Sequence, residues 1–302
     1  MRQTKRIIAI WTLCLLAFLW LPQSVSAEAE CSLTLQCTYE NAPVSQAEFW
    51  IYRIGRMGPN GWVYLEDDFV RYPVTTERAS LPVFAETIYG YACKDSLEPL
   101  HRIKTNEQGF AQVSGLAQGV YLVAGQLHTQ GEQIFEFQPQ IISLPYENAP
   151  EGVSGEAVIL QVKCAVREKE TQKASLKVQK VWEDGNNTQM RPDTVTVYLL
   201  KDGVLWDTVT LNRGNSWKYV WQDLDPNAQW QVAEEPVMDY FVSVSRTEST
   251  FIITNYYDGP IEPPDQPDIP QTGMLLWPIP VLAALGLGLI FVGFVLRRRD
   301  RE

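Results

Sequence analysis

Residues 174–183 read Ala-Ser-Leu-Lys-Val-Gln-Lys-Val-Trp-Glu. Alternate side chains of an extended strand point to opposite faces, so Leu176, Val178, Lys180 and Trp182 share one face over Ser175–Trp182. Three of the four are apolar, which makes that face the core and predicts a buried lysine. Working outward, the same two-residue period returns at Thr194–Leu200, Trp206–Leu211, Ser216–Trp221, Gln229–Glu234, Tyr240–Val244 and Thr250–Asn255. Turn residues separate the runs: Asp184-Gly185-Asn186, Lys201-Asp202-Gly203, Asn212-Arg213-Gly214-Asn215 and Asp225-Pro226-Asn227. Seven short strands within about 80 residues predict an immunoglobulin-like sandwich over 174–257.

Parity also sends two other polar residues inward. On the fifth run Glu234 shares a face with Trp230 and Val232, and on the last Asn255 shares one with Phe251 and Ile253. A lone buried ammonium costs several kcal/mol, so the three polar residues need one explanation. Lys177 and Glu235 fall on the opposite parity, with solvent. The stretches Lys180-Val181-Trp182, Arg191-Pro192-Asp193, Val195–Leu199, Lys201-Asp202-Gly203, Val209–Asn212, Trp217-Lys218-Tyr219, Val232-Ala233-Glu234 and Ile252–Asn255 closely resemble the Cna B-type domain of Gram-positive surface proteins and pilins. The resemblance implies a spontaneous isopeptide bond between Lys180 and Asn255, assisted by Glu234 as the buried acid. Burial is consistent with it, since it favours a neutral amine and a protonated carboxyl. A plain buried ion pair of Lys180 and Glu234 is the alternative.

Residues 28–170 also read mainly as strands, with one helical interruption near Val83–Cys93. Ala47–Tyr52, Thr105–Phe110, Leu116–Val123 and Ile142–Pro145 are similar to N-terminal domains of Gram-positive pilins, which implies a second β-sandwich. The expected fold is therefore all-β, with two tandem immunoglobulin-like (Cna B-type) sandwiches. In this half Cys31, Leu33, Leu35 and Cys37 share the inward face of the first strand, where sister domains place a lysine. Val158, Leu160, Val162 and Cys164 do so on the last. Parallel pairing of these terminal strands would bring Cys37 near Cys164, leaving Cys31 with Cys93 as the second candidate disulfide. Free buried thiols are the alternative. No metal site is expected, because the cysteines lack Cys-x₂-Cys spacing.

The ends of the chain carry addresses. Arg2, Lys5 and Arg6, the apolar Ile7–Leu21 and Val25-Ser26-Ala27 form the three parts of a cleaved signal peptide over 1–27. Residues 258–268, rich in Pro and acid, suit an extended linker. Ile269-Pro270-Gln271-Thr272-Gly273 precedes an apolar run over 274–296 that is long enough to span a bilayer, and the basic tail 297–302 follows. Motif, span and tail together resemble the cell-wall sorting signal of Gram-positive surface proteins, usually Leu-Pro-x-Thr-Gly. The resemblance implies cleavage between Thr272 and Gly273 by a sortase and transfer to a peptidoglycan precursor or another pilin subunit. Ile269 stands where the usual motif has Leu.

The whole chain carries a net charge of −11, and seven of its 25 basic residues sit in those two ends. A nucleic-acid footprint is thereby excluded, since phosphate neutralisation needs a basic surface. His101 and His128 are the two histidines, too few for histidine-based catalysis, and no Walker loop, dinucleotide fingerprint, nucleophile elbow or His-Glu-x-x-His occurs. No cofactor is expected, and no turnover enzyme. The sequence reads as a secreted, cell-wall-anchored structural protein that spans the membrane before sortase acts, most similar to a minor or basal pilin. In a pilus Lys163, Lys169 or Lys173 could accept a shaft subunit. A stand-alone adhesin binding a host extracellular matrix protein or glycan is the alternative.

Overall fold

The computed structural model describes residues 30–146 and 155–259. The signal peptide, sorting motif, membrane span and basic tail expected above lie outside the described residues. No helix among the described residues is long and apolar enough to cross a membrane.

The first half contains strands β1 (Cys31–Gln36), β2 (Thr38–Tyr39), β3 (Ala42–Pro43), β4 (Glu48–Met57) and β5 (Val63–Leu65), then helix α1 (Leu81–Lys94). It continues with β6 (His101–Lys104), β7 (Phe110–Leu116), β8 (Gly119–Gly125), β9 (His128–Gln130), β10 (Gln133–Phe137), β11 (Gln140–Leu144), β12 (Ala157–Gln161) and β13 (Cys164–Glu168). Sheet β12-β1-β7 faces the larger sheet β11-β8-β4-β5, with β6 also paired to β4. Their shared core includes Leu33, Leu35, Phe49, Ile51, Tyr121 and Val123. The larger sheet is buried on its other face as well, through Tyr52, Ile54, Val120, Leu122 and Ala124. Every residue of β8 is therefore buried, as expected of a strand covered on both sides.

The cover on that second face is α1. Pro82 in its first turn and Lys94 in its last suit a helix start and stop. Its buried residues, among them Phe84, Ala85, Thr87, Ile88, Tyr89, Tyr91 and Cys93, run around the whole cylinder. A helix so buried lies between two layers. One is the large sheet of the first half, and the other is the second sandwich.

That sandwich is built from β14 (Ala174–Glu183), β15 (Thr194–Lys201), β16 (Val204–Asn212), β17 (Lys218–Leu224), β18 (Trp230–Glu234), β19 (Tyr240–Thr247) and β20 (Thr250–Tyr257). These seven strands fall where the period-two runs predict them. Sheets β17-β14-β20-β19 and β16-β15-β18 pack face to face, an all-β, immunoglobulin-like arrangement. Its core, with Val178, Val197, Leu199, Leu211, Phe251 and Ile253, is continuous with the one around α1. The tandem halves thus share a hydrophobic layer supplied by the helix of the first.

In each half the first strand pairs in parallel with a strand near the end. Strand β1 runs parallel to β12, with Leu35 opposite Leu160, and β14 runs parallel to β20, with Lys180 opposite Ile253. Alternating burial along β1, β14 and β20 agrees with the predicted parities.

Candidate functional site

Strand β14 delivers Lys180 inward between Val178 and Trp182, and β20 delivers Asn255 inward past Phe251 and Ile253. In this register Asn255 lies opposite Trp182, so Lys180 and Asn255 are diagonal neighbours on one face. Glu234, the last residue of β18, reaches them from the facing sheet. Lys180 Nζ stands 3.3 Å from Glu234 Oε2, and Asn255 Nδ2 donates to Glu234 Oε1 at 2.6 Å. Exposure is 5% at Lys180, 1% at Glu234 and 0% at Asn255. The three residues singled out by parity converge in one sealed position.

Burial pushes the Lys180 ammonium down to about 8 from its ordinary 10.5, against the opposing pull of Glu234. Burial likewise raises the Glu234 carboxyl, with Lys180 and Asn255 pulling the other way. The two protonation equilibria approach each other, which makes proton exchange between amine and acid accessible. Among hydrogen-bonding atoms, Asn255 Oδ1 and Glu234 Oε2 have no aligned partner. The Lys180–Glu234 contact is thus an ion-pair distance without hydrogen-bond alignment. Asn255 Oδ1, a buried acceptor without a donor, is costly at rest.

Sequence reasoning missed the shell around this centre. The Trp182 ring lies under the ammonium, with Nζ 4.5 Å from its centroid, and packs edge-on against Trp217 and Tyr240. Arg191 forms a two-pronged pair with Asp184, with Nη2 donating to Oδ1 at 2.7 Å, and Tyr240 donates to the same carboxylate at 3.3 Å. Arg191 also bears on Lys180 electrostatically and disfavours its charged form. The Arg191-Pro192-Asp193 stretch is legible in the sequence, whereas the partner Asp184 stands in a segment with turn signals only, Asp184-Gly185-Asn186. Lys177 and Glu235 stay off the core face, and Glu235 accepts from Tyr198 Oη at 2.8 Å.

In the first half, Cys37 and Cys164 are brought to the same core. Burial raises the Cys37 thiol to about 12, with Cys164 adding to the rise, and burial raises Cys164 too. Cys31 and Cys93 are not brought together. Cys31 lies in the core between the two sheets of the first half, whereas Cys93 lies in the layer around α1, where a Cβ at Gly203 of the second sandwich would sit 3.7 Å from its Sγ. The helix turns that cysteine away from β1.

The second half is a β-sandwich with a lysine, an acid and an asparagine gathered inside it. Residues 176–256 match the Cna protein B-type domain, and this segment is a domain of that type. The collagen adhesin of Staphylococcus aureus is 34% identical over 89 residues, which cover 28% of this chain and 7% of that protein. The chain therefore spans a small fraction of the length of that relative. Among solved structures, a single B repeat unit of the Staphylococcus aureus collagen-binding surface protein aligns at 14% identity, covering 77% of this chain and 100% of its own, with a TM-score of 0.28. The major pilin SpaD of Corynebacterium diphtheriae aligns at 14% identity, covering 75% of this chain and 64% of its own, with a TM-score of 0.29. The domain assignment rests on the sequence match over 176–256.

Proposed function

We propose that this chain is a structural protein of the Gram-positive cell surface, a minor or basal pilin subunit whose second sandwich is stapled by an isopeptide bond between Lys180 and Asn255. The observation that carries the reading is the sealed triad of Lys180, Glu234 and Asn255 joining the two strands that pair in parallel. In the reactive form the proton shared by the pair sits on Glu234 and the amine is neutral. Rotation of the Asn255 carboxamide turns Oδ1 toward the acid, which polarises the carbonyl. Lys180 Nζ then attacks Asn255 Cγ, forming a C–N bond, and the bond from Cγ to Nδ2 breaks. Glu234 relays a proton from the attacking nitrogen to the departing one, ammonia leaves, and no redox partner is needed. The amide product joins first strand to last, so tension cannot unzip the domain between them.

Anchoring follows the motif Ile269–Gly273, with sortase as the partner and a peptidoglycan precursor or another pilin subunit as the acceptor. Intact mass of residues 28–258 tests the staple. The expected value is one ammonia below the sequence mass, with tandem fragmentation placing the branch at Lys180 and Asn255. A mass equal to the sequence mass would sink the crosslink.

The match to a collagen adhesin favours a second reading, a stand-alone adhesin for a host matrix protein. Wall proteins released by a peptidoglycan hydrolase and boiled in detergent separate the two. A ladder of high-mass species supports the pilin, and a single band near monomer size supports the lone adhesin.

A further inference from the structure

The triad sits in the second half, but the first half closes over it. Strands β18 and β19 are edge strands of the two facing sheets, and edge strands expose unpaired backbone groups and admit water. Here α1 lies across both. Thr87 Oγ1 accepts from Val244 N of β19 at 2.7 Å while donating to Val83 O at 2.7 Å, and Pro73 O accepts from Val242 N at 2.8 Å. At Gly90 the helix backbone comes so near β18 that an added Cβ would stand 2.6 Å from Val232 O. Tyr91, buried with its hydroxyl unpartnered, lies within electrostatic reach of Glu234 and Glu235. All five residues of β18 are buried as a result, although parity on a bare edge strand would expose Gln231 and Ala233.

We infer that α1 of the first half is part of the crosslinking centre, with Gly90 and Thr87 as positioning residues that seal β18 and β19 and keep water from Lys180, Glu234 and Asn255. This inference rests on the isopeptide reading above and adds an order of events: the bond forms after the two halves dock. The physical reason is solvation. Amine plus acid and ammonium plus carboxylate hold the same number of protons, and water favours the charged pair. Exclusion of water by α1 raises the share of the neutral, reactive pair.

The test follows ammonia loss by intact mass in residues 28–258, made by a short cell-free synthesis pulse and chased in buffers from acid to alkali. Wild type, Gly90→Leu and Thr87→Val are compared. The groups facing the pair are Trp182, Asn255, Arg191 with Asp184, and Tyr91 from the helix, and all are retained in both variants. Wild type is expected to give a bell-shaped rate profile, falling in acid as the pair takes a second proton and in alkali as Glu234 loses its own. In Gly90→Leu the bell becomes lower and broader, with a loss of about tenfold for each pKa unit by which the two groups draw back toward their ordinary values. Thr87→Val, which keeps shape and removes the hydrogen bonds to Val244 N and Val83 O, falls between and decides the matter if Gly90→Leu does not fold. Wild-type rates and profiles in both variants would overturn the role of α1 while leaving the crosslink standing. No ammonia loss in wild type itself would remove the crosslink, and the inference with it.

Discussion

The two halves place different side chains at the same point of a shared topology. Each has a first strand held between an antiparallel neighbour and a parallel partner from near the end: β1 between β7 and β12, and β14 between β17 and β20. Force applied at the ends of such a unit loads the parallel pair. In the second half that pair carries Lys180 and Asn255 inward, with Glu234 between them. The first half has Cys37 just past β1 and Cys164 just past β12, in one core. Cysteine needs an external oxidant to become a crosslink, whereas the proposed bond between lysine and asparagine would need only dryness and a proton relay. A shared topology can thus present quite different chemistry at the same pair of strands, and the proposed staple depends on which side chains are buried there.

Breaking the acid is the severest test of that contrast. Glu234→Ala leaves Lys180 buried without a counter-charge, and about 3–5 kcal/mol of stability should go together with the ammonia loss. Thermal unfolding and intact mass read both, and a mass still short by one ammonia would contradict the assigned role. Phe251→Ala removes packing beside the staple without touching the triad and should cost about 3–5 kcal/mol in an uncrosslinked background such as Asn255→Ala. In the crosslinked protein the loss should be read mainly as faster hydrogen exchange in β20.

Alkali should separate the halves by sign. In Asn255→Ala, Lys180 keeps a folded pKa near 8 against an ordinary 10.5, so its contribution is fully present above 10.5 and lost as pH falls through about 8. Denaturant midpoints of this variant should therefore rise between those values, and the rise should be absent from the crosslinked protein, where that amine no longer titrates. Cys37 behaves oppositely. Its folded pKa of about 12 lies above the ordinary 9.0, so stability is complete below 9.0 and lost as pH climbs toward 12. Cys37→Ala should flatten that decline in urea titrations followed by fluorescence.

The smallest expected effect lies at the join between the halves. Arg246 Nη1 donates to Glu136 at 3.0 Å, with each side chain about a third exposed. Glu136→Gln should cost below about 1 kcal/mol and leave the crosslink intact by mass. A large loss there would mean that the halves are held by charge more than by the apolar layer around α1.

The period-two pattern was enough to place all seven strands of the second sandwich and to turn Lys180, Glu234 and Asn255 inward, because strand parity is a local property of the backbone. Parity also turned Cys37 and Cys164 inward, although Cys164 opens β13 and does not continue β12. Helix α1 was visible as an interruption over Val83–Cys93, close to its observed Leu81–Lys94 span. Its destination was not visible, because a helix buried all round shows no single apolar stripe to indicate which neighbour it meets. The separation of Cys31 from Cys93 has the same cause.

The amino-acid order alone thus determined which residues form strands, which face each shows the core, and which three polar side chains are driven out of water. The diagonal register of β14 on β20, the reach of Glu234 from the opposite sheet and the closure of β18 and β19 by α1 were decided in three dimensions. Those contacts join residues far apart in the chain, Thr87 and Val244 being 157 positions apart. They are selected by packing and by satisfying edge hydrogen bonds, for which a short stretch of sequence carries no signal.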